Sequence, residues 1–253
     1  DKRQVKTTPL LQHIPADGSL RPQVEEQHCA YPGDEQVEEY RLVAIDVDKG
    51  KLQAANYRRI PVKRFGHGLF TDQLAWWSND SRLAYFVDIE RNGQTARVVE
   101  LDTHTGDTRI LFEETSETYI QFSVNEMTPA TLRPLPDTDE LIWCSEHSGW
   151  AHLYLYDLKT GALKHAITEG DWLVRDILHI DSQRRECWIQ TAGRVSNRDP
   201  YYRDICRVNI DTGKLTTLAT SDKEYTVLAP RNIDYFWHKF ADPEIDAHTS
   251  GVS

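Results

Sequence analysis

Methionine occurs once in the 253 residues, and cysteine four times, at positions 29, 144, 187 and 206. Cysteines this few and scattered exclude a disulfide-stapled scaffold and a zinc site built from paired ligands. Cys144, Cys187 and Cys206 lie inside apolar runs, where a free thiol packs as a small hydrophobe. No stretch approaches the roughly eighteen apolar residues that a membrane-crossing helix needs, and mean hydropathy is −0.60. Positive charge is in deficit as well: 29 Lys and Arg stand against 40 Asp and Glu, for a net charge of −11. No nucleic-acid partner is expected, because binding that polyanion needs clustered cations. Ligands that carry a cation, such as a peptide with a free amino terminus, suit the balance better.

A nucleophile is missing too. No Gly-x-Ser-x-Gly elbow occurs, since Ser148 has a glycine after it but none two residues before, and Ser250-Gly-Val-Ser253 at best begins a motif. The ten histidines form no HExxH pair, and His147 and His152, five apart, would face opposite sides of one strand. Glu25-Glu26, Glu38-Glu39 and Glu113-Glu114 are sequence neighbours, which diverge in extended chain and read as solvated surface charge. No catalytic, substrate-binding or metal-binding residue is therefore assigned, and no cofactor is expected. Of the tryptophans, Trp76, Trp77, Trp143 and Trp188 sit in strand-like runs and read as core. Trp150 and Trp172 fall at strand edges or turns and are candidates for a loop-side surface.

What is present is a repeat. Alternating apolar residues, an Asp or Asn, a short turn, a Gly and a second short strand recur from Val43, Arg97, His152 and Ile205. Their glycines, Gly50, Gly106, Gly161 and Gly213, are 56, 55 and 52 residues apart. The Asp can bond its own backbone and the Gly can take positive φ, which together close a hairpin. A period near fifty built from hairpins predicts an all-β chain of the β-propeller class.

Residues 1–39, broken by Pro9, Pro15, Pro22 and Pro32, read as an irregular lead-in, and 40–60 as a partial blade. Complete four-stranded blades are expected at 74–114, 130–168 and 174–219. The segment 220–253, with the aromatics Tyr235, Phe236 and Trp237, reads as an irregular tail or the start of another blade. Ala192–Tyr201 is the long connection, carrying Arg194, Arg198 and Asp199, and long loops are where binding concentrates. Three blades with fragments at both ends leave apolar sheet faces bare, so the remaining ring or a second copy of the chain is expected to cover them. The opening Asp1-Lys-Arg-Gln, without initiator Met or signal peptide, reads as an excised piece of something longer.

Ser145-Glu-His-Ser-Gly-Trp150-Ala-His152-Leu-Tyr-Leu-Tyr-Asp157, Thr160-Gly161 and Thr168-Glu-Gly-Asp-Trp172 with Val174 resemble the propeller signature of the dipeptidyl peptidase IV group of the prolyl oligopeptidase family. Ile14-Pro-Ala-Asp-Gly-Ser-Leu-Arg-Pro22, Tyr31-Pro-Gly-Asp34, Gly193-Arg194 and Asp199-Pro-Tyr-Tyr-Arg203 resemble its bacterial branch, in order. The likeness runs from about Pro9 to Ala219. It implies an eight-bladed propeller capping an α/β-hydrolase domain whose Ser-Asp-His triad removes Xaa-Pro or Xaa-Ala dipeptides from peptide amino termini. It also implies a secreted or periplasmic setting. The family's double-Glu motif lies in an aromatic context upstream, which Glu25-Glu26 lacks, so that role is not transferred. The expected function is a gating scaffold for an absent hydrolase domain, acting on a peptide substrate. The alternative is a stand-alone propeller that binds a peptide or protein.

Overall fold

The computed structural model describes residues 6–28, 30–31, 33–61, 69, 74–121, 131–220 and 222. Every regular element among them is a strand. Two compact units divide between Thr118 and Tyr119.

In the first unit, β1 (Thr7–Gln12) and β2 (Gln23–His28) pair antiparallel, with Pro9 opposite Glu26. The prolines of the lead-in do not keep it irregular. Pro9 is tolerated because a two-stranded sheet leaves each strand an open edge, where a missing N–H costs no ladder bond, and Pro15 and Pro22 fall in the connection. β3 (Glu39–Tyr40), the hairpin β4 (Val43–Asp46) and β5 (Lys51–Ala54), and β6 (Ile60–Pro61) follow, with β3 pairing β6. Then comes a four-stranded meander of β7 (Ala75–Trp77), β8 (Leu83–Ile89), β9 (Thr95–Asp102) and β10 (Thr108–Thr115).

The second unit holds two further meanders. One is β11 (Leu132–Leu135), β12 (Glu140–Ser145), β13 (His152–Asp157) and β14 (Leu163–Ala166). The other is β15 (Leu173–Asp181), β16 (Glu186–Ala192), β17 (Arg203–Asn209) and β18 (Leu215–Ala219). Four antiparallel strands in sequence order, repeated, are the sheets from which propellers are built. The segment 223–253, including Tyr235, Phe236 and Trp237, lies outside the described residues, as does Cys29.

Side chains at every second position make the second unit's core. Ile142 and Cys144 of β12, Leu153 and Leu155 of β13, Cys187 and Ile189 of β16 and Cys206 and Val208 of β17 are all buried in one cluster. The period of two puts them on one face of each sheet, and burying each Leu or Ile contributes about 2 kcal/mol. The three described cysteines are free and buried. Trp143 and Trp188 are core residues, but Trp77 is 48% exposed. It follows Trp76 directly in a strand, so only one of the two can face inward. Trp76 does so, stacked on Tyr85 at 5.6 Å.

The four repeated turns share a mechanism. Asp46, Asp102, Asp157 and Asn209 each turn Oδ1 back to accept backbone N–H groups two or three residues on. The following glycines have φ between 62° and 83°. In the last three turns the glycine N–H donates to the carbonyl of that same Asp or Asn. Two turns also dock on the preceding sheet segment. A Cβ on Gly106 would collide with the Ala54 carbonyl, and one on Gly213 would lie 3.1 Å from the Ile167 carbonyl.

Candidate functional site

The signature segments of the second unit converge at one end of its two sheets. Antiparallel order puts the β12–β13 turn, the β14–β15 connection and the β16–β17 loop together there. His152, buried at the start of β13, joins them: its Nε2 donates to the Gly170 carbonyl at 2.8 Å, and its Nδ1 accepts from the Thr168 hydroxyl at 3.0 Å. That hydroxyl in turn accepts the Leu153 N–H. Burial holds the His152 imidazole below its usual range, against the opposing pull of the Gly170 bond and Glu169.

Trp172 completes the knot. Its ring meets His152 edge-on at 4.9 Å, and the Arg194 guanidinium lies 5.4 Å from its centroid. A Cβ on Gly170 would sit 2.5 Å from Trp172 Nε1, so only glycine lets the indole fold back over this turn.

The two arginines of the long loop bond to neighbouring strands, while Asp199 is exposed. Arg194 Nη1 donates to Cys206 Sγ at 3.1 Å and to Thr217 Oγ1 at 3.2 Å. Arg198 pairs with the fully buried Asp204 at 2.8 Å and donates to Thr220 Oγ1 and the Tyr202 carbonyl. Asp199 Oδ1 accepts the Tyr201 N–H. The charges read as possible ligand contacts are thus anchors of the loop itself. Tyr201 and, in the neighbouring turn, Trp150 remain exposed.

The serines of the signature are held in local turns. Ser148 donates its hydroxyl to the Trp150 carbonyl. Ser145 lies 2.8 Å from His147 Nδ1, but it is buried and also accepts the His147 N–H, while the His147 ring lies tilted against Tyr154. That arrangement closes a local turn. Cys187 is pushed up to about 12 and Cys206 is raised, both by burial, which leaves neither as a thiolate nucleophile. Among the described residues no His, Cys, Asp and Glu cluster could hold a metal. Of the neighbouring carboxylate pairs, Glu25 and Glu26 are exposed on opposite faces of β2, and Glu113 pairs with Arg97 at 2.5 Å.

The first unit carries two knots of its own. Arg91 donates to the Tyr31 and Asp34 carbonyls at 2.6 and 2.8 Å, fixing the Tyr31–Asp34 turn. Asp88, buried in β8, accepts from Tyr57 at 2.8 Å and twice from Arg58. Burial and the Asp88 charge push the Tyr57 hydroxyl up to about 12. Sequence reasoning passed over Asp88 and Asp204. For Asp88 the available signal was a lone Asp inside an apolar run, Phe86-Val-Asp88-Ile89, since a buried carboxylate must find a partner; Asp204 follows Arg203 and carries no such mark.

Comparison with known proteins gives a consistent picture. The family described as dipeptidyl peptidase IV (DPP IV) N-terminal region matches residues 1–247. A dipeptidyl peptidase 4 of Arthroderma otae is 25% identical over 175 residues, 68% of this chain and 21% of that protein. One from Trichophyton equinum is 24% identical over 191 residues, 74% of this chain and 24% of that protein. The crystal structure of Porphyromonas gingivalis dipeptidyl peptidase 4 superposes with a TM-score of 0.61 at 15% identity, over 86% of this chain and 28% of that one. The chain thus spans about a fifth to a quarter of the length of these curated relatives.

Proposed function

The chain belongs to the dipeptidyl peptidase IV N-terminal region family, and on that premise we propose that it is the non-catalytic propeller segment of a serine dipeptidyl peptidase. In this reading the parent removes Xaa-Pro or Xaa-Ala dipeptides from peptide amino termini. The segment acts as a substrate-access gate and scaffold for an α/β-hydrolase domain carried elsewhere in the parent chain. The four-stranded sheets serve as blades, at 74–114, 130–168 and 174–219, of one partial propeller domain within a ring of eight. The setting is periplasmic or secreted, and among the described residues no helix is long and apolar enough to cross a membrane.

The observation that carries this reading is the family match over residues 1–247. The ordered signature segments support it, because they close into buried knots rather than into a reactive site. Residues spent on rigidity suit a scaffold whose chemistry is supplied by another domain. A hydrolase domain needs a nucleophile elbow followed by Asp and then His, in that order.

The test is turnover of a Gly-Pro anilide by the product of the full reading frame, with its elbow Ser→Ala variant as control. Turnover that the control abolishes is expected, and the chain of residues 1–253 alone should give none. A full product no faster than its control overturns the reading. The stand-alone binding propeller is then favoured, with exposed Trp150 and Tyr201 as the first residues to probe.

A further inference from the structure

Of the chain's asparagines, only Asn92 is followed by glycine. The order matters chemically, because the backbone nitrogen of a residue without a side chain is unshielded and can attack the carbonyl carbon of a preceding Asn side chain. The dipeptide lies in the turn Arg91-Asn-Gly-Gln94, which joins β8 to β9.

The folded turn restrains both reactants. The Gly93 N–H donates to the Glu90 carbonyl at 2.8 Å, and Gly93 is buried with φ 71°. The Asn92 side chain is exposed yet held at both ends: Oδ1 accepts the Gln94 N–H and Nδ2 donates to Gln94 Oε1, each at 3.0 Å. Gln94 is itself tied, through Nε2, to the Glu117 carbonyl at 2.7 Å. A nitrogen whose proton is bonded to a carbonyl keeps that proton, and an amide pinned toward Gln94 cannot turn its carbon to Gly93. Exposed turns, however, open locally at a free energy well below that of global unfolding.

We propose that Asn92 is a deamidation site gated by the β8–β9 turn, closed while the turn is folded and reactive once it opens. In the open turn the Gly93 nitrogen loses its proton and bonds to Asn92 Cγ. The Cγ–Nδ2 bond breaks, ammonia leaves with the equivalent of that proton, and a cyclic imide remains. Water then adds to one of the two imide carbonyls. Breaking the new Cγ–N bond leaves aspartate, whereas breaking the original peptide bond leaves isoaspartate, with the main chain rerouted through Cβ and Cγ. Water is the only co-reactant.

Isoaspartate lengthens the main chain of the turn by one atom beside Arg91. The Arg91 guanidinium holds the Tyr31 and Asp34 carbonyls at 2.6 and 2.8 Å, and within that segment the Asp34 N–H donates to the Tyr31 carbonyl at 3.1 Å. Modification at Asn92 therefore releases the Tyr31–Asp34 turn. Neither step depends on whether a hydrolase domain accompanies the chain.

The test is incubation of the 253-residue chain at mildly alkaline pH, in buffer and in denaturing urea, followed by peptide mapping. Mass spectrometry reads the amide-to-acid exchange, and enzymatic methylation scores isoaspartate. Asn92 should convert ahead of every other asparagine in urea, and at least about tenfold more slowly in the folded chain. Gln94→Ala removes the Nδ2 acceptor and the Glu117 tie. It should speed conversion in the folded chain about fivefold, the factor that one hydrogen bond represents, and leave the rate in urea unchanged. In the aged folded chain, hydrogen exchange at the Asp34 amide should rise toward that of an Arg91→Ala variant. An Asn92 that stays intact in urea overturns the proposal, and so do equal rates in the folded and unfolded chain. A folded-state rate that Gln94→Ala leaves unchanged overturns the gating, and conversion without faster exchange at Asp34 overturns the release through Arg91.

Discussion

At His152 the hydrogen bonds leave one tautomer, with the proton on Nε2, because the Gly170 carbonyl can only accept. Burial keeps this imidazole below its usual range, and His179 is lowered for the same cause. A folded-state value below the unfolded one means that the unfolded chain takes up the proton first as pH drops. The stabilisation from neutral His152 is therefore complete well above about pH 6.5, the unfolded value, and is lost as pH falls from there through the lower folded value. The urea midpoint should fall between pH 7.5 and 5.5, and His152→Gln should lower it at pH 7.5 while making the pH dependence shallower. A slope that the variant leaves unchanged would assign the pH effect elsewhere.

The repeated glycines separate two costs that are usually entangled. Gly50 has φ 62° and open space around an added Cβ, so Gly50→Ala should cost only the backbone term, about 1 kcal/mol. Gly213→Ala adds a 3.1 Å approach to the Ile167 carbonyl, and Gly106→Ala a collision with the Ala54 carbonyl, which together with the backbone term should reach about 3 kcal/mol. Denaturant melts of the three variants should rank Gly50, Gly213, Gly106 in rising cost. An equal cost at all three would show that the turns do not bear on the sheets behind them.

Among the elements, the β16–β17 loop shows what patterning reveals and what it hides. Strand alternation and the Asp-to-Gly turns were visible in the sequence, and both reappear in the four-stranded sheets. Both signals are local, set by period two and by backbone bonding within a few residues. The use of Arg194 and Arg198 was not visible, because it depends on Cys206, Asp204, Thr217 and Thr220 arriving from β17, β18 and the segment beyond. A charged loop looks the same in sequence whether its side chains reach out or in. With Asp204 fully buried, removing one partner leaves a stranded charge, so Arg198→Met should cost about 3 kcal/mol. The double variant with Asp204→Leu should recover much of that loss in equilibrium unfolding, and a simple sum of the two single losses would mean that the pair is not coupled.

For the molecule as a whole, the lead-in hairpin is where sequence and structure part most clearly. Four prolines in the first 32 residues argue for irregular chain, yet Pro9 needs only an unpaired edge to sit in a strand, and edges are a property of the sheet rather than of the residue. The hairpin is also energetically separable. Its side chains contribute little to the buried apolar set, and its tie to the following segment includes the Lys6–Asp34 pair, whose lysine is solvated and whose attraction water screens. Deleting residues 1–28 should therefore leave the three four-stranded sheets folded. At low micromolar concentration the thermal midpoint of the shortened chain should lie within about 3 °C of the whole chain's, the shift that under 1 kcal/mol produces in a domain of this size. A large drop at low concentration would instead make the hairpin part of the fold's core.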